Sequence, residues 1–108
     1  IWAGFDEMML PAASLGVDGA IGSTFNVNGV RARQIFELTK AGKLKEALEI
    51  QHVTNDLIEG ILANGLYLTI KELLKLEGVD AGYCREPMTV KATDAQLARA
   101  KELKAKYL

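Results

Sequence analysis

Cysteine is almost absent from this 108-residue chain, Cys84 being the only one. It cannot close an internal disulfide and has no partner for a metal cluster, so a reducing, cytoplasmic setting is expected. Excess charge of either sign is missing as well: 13 Lys and Arg face 14 Asp and Glu, a formal net charge of −1. That balance makes no electrostatic case for nucleic acid or for an anionic membrane. No apolar run approaches the roughly 20 residues that a spanning helix needs. There is no internal repeat and no low-complexity segment. Lysine is absent from the first third of the chain, the first being Lys40. What remains is ordinary, 49% apolar and 25% charged, the composition of a soluble globular protein of one domain's length.

The stretch from Gly16 to Asn26, Gly-Val-Asp-Gly-Ala-Ile-Gly-Ser-Thr-Phe-Asn, organises the rest. An apolar run as short as Ala20-Ile21, bounded by turn residues, fits a strand buried on both faces rather than an amphipathic helix. Gly22 leaves no side chain between the backbone and whatever lies above the strand end. Ser23 and Thr24 then offer hydroxyls there, although Gly-Ser-Thr also reads as a plain turn.

Ile1 to Ala3 reads as the end of a second buried strand, with Gly4-Phe5-Asp6-Glu7 as the loop leaving it. Asp6 is expected to cap the helix that follows and Glu7 to suit its first turn. Pro11 makes that first turn late or irregular. Met8, Met9, Leu10, Ala12, Ala13 and Leu15 supply the apolar face, and Gly16 the stop. Strand, helix, strand at this spacing implies a right-handed βαβ crossover. After a loop at Asn26-Val27-Asn28-Gly29 the chain reads as helical to its end: Val30 to Ala41, Lys43 to Asn64, Leu66 to Glu77, and a last helix opened by the capping box Thr93-x-x-Gln96. In the second of these Leu44, Ala47, Leu48, Gln51, Ile58, Ile61 and Leu62 follow the helical spacing, and Gly60 marks close packing.

The chain opens without a methionine, inside what reads as a strand. Two parallel strands joined by one helix cannot cover their own faces and edges, so the sequence is expected to be the C-terminal part of something larger.

Parallel strands put their carboxyl ends on one face, so the loops Gly4 to Glu7 and Gly22 to Thr24 are expected to share an opening. Carboxylates and a serine hydroxyl around bare glycine backbone suit a ligand with many hydroxyls, since carboxylates accept what sugar O–H groups donate. A plain helix cap for Asp6 and a solvated first-turn acid for Glu7 are the alternatives. His52 has no second ligand at metal spacing and reads as a surface or core-edge residue. Arg85-Glu86-Pro87 reads as a fixed corner with one salt bridge, and Cys84 as structural or incidental.

Gly4-Phe5-Asp6-Glu7 followed by Leu15-Gly-Val-Asp-Gly-Ala-Ile-Gly-Ser-Thr-Phe-Asn26 strongly resembles the N-acetylneuraminate lyases, or sialic acid aldolases, a branch of the dihydrodipicolinate synthase superfamily of (β/α)8 barrels. The likeness extends through Cys84-Arg85-Glu86-Pro87 and is most specific in residues 1 to 29. It implies an α/β fold, mostly helical by residue count: the C-terminal part of a TIM barrel. Residues 1–42 would be its seventh and eighth βα units and 43–108 a C-terminal helical extension packed on the barrel.

The resemblance also implies a class I aldolase. A lysine, freed as an amine by desolvation, forms a Schiff base with the keto carbon, and retro-aldol cleavage of N-acetylneuraminate gives N-acetylmannosamine and pyruvate. That lysine and the family's catalytic tyrosine belong to earlier strands, so no catalytic residue is expected in this segment. The family's tail-binding positions fall on Gly4, Asp6, Glu7, Gly22 and Ser23, and an aromatic position near the mouth on Tyr67. No cofactor or metal is implied. The implied partners are substrate and products, the N-terminal part of the same barrel, and further copies in a homotetramer. Another 2-keto acid aldolase of the superfamily, or a helical interaction module, are the competing readings.

Overall fold

The computed structural model describes all 108 residues, Ile1–Leu108. Two strands, β1 (Trp2–Ala3) and β2 (Gly19–Ala20), pair in parallel with Trp2 opposite Gly19 and Ala3 opposite Ala20. Backbone bonds from Asp18 N–H to the Ile1 carbonyl (2.9 Å) and from Ile21 N–H to the Ala3 carbonyl (2.9 Å) extend the pairing at both ends. Between the strands run a 3-10 turn, Asp6–Met8, and α1 (Met9–Ser14). The late start fits Pro11, which has no N–H to give. Gly16 ends the segment at φ +86°, a left-handed turn that suits glycine.

The helices that follow are α2 (Phe25–Lys40), α3 (Leu44–Asn64), α4 (Leu66–Leu76) and α5 (Asp94–Tyr107). None is long and apolar enough to cross a membrane. The chain divides into two compact units, Ile1–Ile58 and Glu59–Leu108. In the first, α1 packs on α2, and Met9, Ala32, Ile35 and Ala47 form a core flanked by Leu10, Phe25, Phe36 and Ile50. In the second, α4 packs on α5, with Leu73, Ala100 and Leu103 buried. Gly60 does mark a close approach: a Cβ there would lie 2.5 Å from the Leu103 side chain. The Thr93 hydroxyl accepts from Gln96 N–H and the Gln96 side chain accepts from Thr93 N–H, the reciprocal capping box expected at α5.

Three expectations need correction. The Asn26–Gly29 loop is helix: α2 begins at Phe25 and carries only a kink at Asn28, φ −123° and ψ 22°. Leu15 is exposed rather than packed, as are Leu44, Leu48 and Leu62 on α3. Arg85 and Glu86 form none of the chain's four ion pairs. Trp2 is 67% exposed and the adjoining Ile21 64%, as expected of two strands that cannot cover their own faces and edges.

Candidate functional site

The βαβ arrangement of the first unit brings Gly4, Asp6, Glu7, Gly22 and Ser23 to the same end of two paired strands, because each loop leaves the carboxyl end of its strand. A buried acid joins the two loops. Asp6, only 7% exposed, accepts through Oδ2 from the backbone N–H of Thr24 (3.1 Å) and from its hydroxyl. Asp6 is therefore a helix cap, but not of the helix that follows it: no side chain caps the turn at Asp6–Met8 or α1. It satisfies a donor at the N-cap of α2, where the helix dipole also favours a negative charge.

Gly22 has the same cause. A Cβ at residue 22 would overlap the Asp6 carboxylate. The bare backbone at the end of β2 thus makes room for a side chain of the neighbouring loop. Glu7 and Ser23 are half-buried and Gly4 is exposed. Glu7 engages through its backbone carbonyl, which accepts from Asn55 Nδ2 (3.4 Å), rather than through its carboxylate. Glu7 and Ser23 thus lie half-buried in these two loops, beside an acid that the fold already uses.

Tyr67 is not brought into this grouping within the unit. It lies on α4 of the second unit, half exposed, beside a cleft of about 300 Å³ that it shares with Leu68, Cys84, Pro87 and Met88. Cys84 is free and buried. His52 is exposed, and no His, Cys, Asp and Glu grouping could hold a metal. The first unit has a cleft of similar volume between β2 and α2, lined by Met9, Ala20, Phe25, Ala32 and Phe36, with Arg33 and Glu37 at its edge. Glu37, bonded to Arg33 Nε at 2.8 Å, raises the guanidinium pKa further, first through the hydrogen bond and then through its charge. None of the loop residues named above lines this cleft.

The sequence reading placed Gln51 at the helical spacing of its helix and Asn28 in a loop, and gave neither of them, nor Thr54 and Asn55, a part in the site; all four make polar bonds beneath the loops. The available signal was polar residues at 51, 54 and 55, neighbours on one face of the helix, with Gln51 falling in line with the apolar positions.

The dihydrodipicolinate synthetase family profile matches residues 1–106. The chain belongs to that family. It is 94% identical over all 108 residues to an N-acetylneuraminate lyase of Haemophilus influenzae and 89% identical to one of Pasteurella multocida. In each case the chain spans 37% of the relative's length. Among solved structures it is similar to CdNal from Clostridium difficile in complex with mannosamine. There the TM-score is 0.97 at 73% identity, over all of this chain and 37% of that one. With an N-acetylneuraminate lyase from Fusobacterium nucleatum the TM-score is 0.95 at 71% identity, again over all of this chain and 37% of that one, so this family member shares its fold with little more than a third of such an enzyme.

Proposed function

We propose that this chain is part of a class I aldolase that cleaves N-acetylneuraminate to N-acetylmannosamine and pyruvate. In that reading residues 1–42 are the seventh and eighth βα units of a TIM barrel and residues 43–108 its helical extension. Earlier strands would flank β1 and β2, cover Trp2 and Ile21, and bring the Schiff-base lysine. The observation that carries the proposal is the 94% identity to an N-acetylneuraminate lyase over all 108 residues of the chain. The complete enzyme is proposed to be a cytoplasmic homotetramer.

The segment's own part is to hold the hydroxylated tail of the substrate. Gly4 backbone, the Glu7 carboxylate and the Ser23 hydroxyl are the contacts, with Gly22 and Asp6 shaping the floor. Carboxylates suit this role because each oxygen accepts bonds that sugar hydroxyls donate. Because a polar group exchanges bonds to solvent for bonds to a ligand at modest net gain, the role is orientation and selectivity. Bond cleavage falls to residues outside the segment, since the earliest lysine, Lys40, ends α2 rather than following a strand.

The test is borohydride reduction of the complete enzyme with pyruvate, followed by peptide mapping. The adduct should fall on a lysine outside these 108 residues. A stoichiometric adduct on any lysine from Lys40 to Lys106 would overturn the proposal.

A further inference from the structure

Helix α3 carries three polar side chains on one face, Gln51, Thr54 and Asn55, inside a stretch whose other inward positions are apolar. Gln51 is 3% exposed and Thr54 1%. Burying polar groups on a helix costs free energy unless each finds a partner, and here Gln51 and Asn55 find theirs around Asp6–Glu7 and Thr54 finds its partner on α2. The Gln51 amide is used in full. Its Oε1 accepts from Leu10 N–H (3.0 Å), while Nε2 donates to the Asp6 carbonyl (3.4 Å) and to Asn55 Oδ1 (2.8 Å). Asn55 Nδ2 in turn donates to the Glu7 carbonyl (3.4 Å). Thr54 Oγ1 accepts from Asn28 Nδ2 (3.2 Å) at the kink of α2, just beyond Ser23 and Thr24.

The Leu10 bond explains how α1 starts. No side chain of its own caps it, and Pro11 has no N–H. Gln51 supplies from α3 the acceptor that a cap would have supplied locally. With Asn55 it holds the backbone carbonyls of Asp6 and Glu7.

We infer that Gln51 and Asn55 are positioning residues that fix the Asp6–Glu7 backbone and so set where the Glu7 carboxylate meets the tail of the substrate. The inference rests on the proposed tail-binding role of Glu7. A loop held in its binding conformation loses less freedom on binding than a mobile one, so the held loop binds more tightly without any added contact to the ligand. A substrate lacking the tail gains nothing from it.

The experiment is done in the complete enzyme with Gln51→Leu and Asn55→Leu, against Ala47→Gly as a control. Ala47 is fully buried on the same helix and makes no polar bond to the loops. Each leucine variant should raise KM for N-acetylneuraminate about tenfold, the scale of one or two lost hydrogen bonds, while borohydride trapping of pyruvate proceeds at the unaltered rate. Ala47→Gly should lower the thermal midpoint and leave KM alone. A KM rise in Ala47→Gly equal to that in the leucine variants, or a parallel fall in pyruvate trapping, would overturn the inference.

A second readout does not depend on substrate. Gln51→Glu keeps an oxygen for Leu10 N–H, so the Leu10 amide should stay protected from hydrogen exchange in it and exchange about tenfold faster in Gln51→Leu. Equal exchange in the two would overturn the positioning role. If the unaltered enzyme leaves N-acetylneuraminate intact, the proposed function fails, while the exchange result still decides whether Gln51 holds the loop.

Discussion

The Asp6 carboxylate occupies the space where a side chain at Gly22 would begin. Two loops from different βα units are fitted to each other before any ligand arrives, and Thr24 seals the fit with two donors. Gly22→Ala should therefore push Asp6 off Thr24. Overpacking costs about 1–3 kcal/mol and a lost charge-assisted bond about 1.5–3 kcal/mol. A clear fall in the thermal midpoint of the complete enzyme is expected. An unchanged midpoint would show that the carboxylate has somewhere else to go.

Thr24→Val removes the hydroxyl that Asp6 accepts from but keeps the backbone N–H. Threonine and valine have nearly the same shape, so packing changes little while the buried carboxylate loses a partner. A loss of about 1.5–3 kcal/mol in stability is expected, read from the thermal or urea midpoint of the complete enzyme. The double variant Asp6→Asn, Thr24→Val should lose less than the sum of its parts, because the two side chains share one interaction. Strict additivity would show that they do not depend on each other.

Gly60 and Leu103 make a second fitted pair, in the other unit. Alanine at 60 gains about 1 kcal/mol of helix propensity but meets a Leu103 side chain that is 1% exposed and has little room to move. Gly60→Ala alone should destabilise. In a Leu103→Ala background the clash is gone, so the same change should stabilise by up to about 1 kcal/mol. The reversal of sign, measured as midpoint shifts, is the expected outcome; the same sign in both backgrounds would contradict it.

Ser23→Ala concerns the ligand rather than the fold. Ser23 is half-buried at the opening, and no hydrogen bond of the chain runs to its hydroxyl; the bond from Asn26 Nδ2 goes to its carbonyl (2.8 Å). Its loss should leave the midpoint unchanged and weaken N-acetylneuraminate cleavage through KM by about 0.5–1.5 kcal/mol, the scale of a neutral hydrogen bond. A fall in stability without a change in KM would assign the hydroxyl to the fold instead.

Local signals in the sequence carried the strands, the crossover and the helix stops, since glycines at 16, 42, 65 and 78 all take positive φ at the ends they mark. The start of α2 was not legible. Asn26-Val-Asn-Gly29 has the composition of a loop, and the group that satisfies the start of that helix is Asp6, an acid 18 residues earlier. Gln51 was hidden for a related reason: it falls at an apolar position of α3, and only the fold shows that its amide reaches residues 6 and 10. Caps supplied by another element leave no trace at the helix they cap. The exposure of Leu15, Leu44, Leu48 and Leu62 has the opposite origin, since helical spacing assigns them to an apolar face but does not say what covers it.

The central claim is that this segment binds the sugar tail while the chemistry lies elsewhere. Glu7→Gln in the complete enzyme tests it most directly, because the change keeps the shape of the side chain and the backbone bond to Asn55. Cleavage of N-acetylneuraminate and borohydride trapping of pyruvate are measured on the same preparation. The account predicts that cleavage falls by about 1.5–3 kcal/mol in kcat/KM, the scale of a charge-assisted bond, with pyruvate trapping unchanged. A parallel collapse of both, or no change in either, would contradict it.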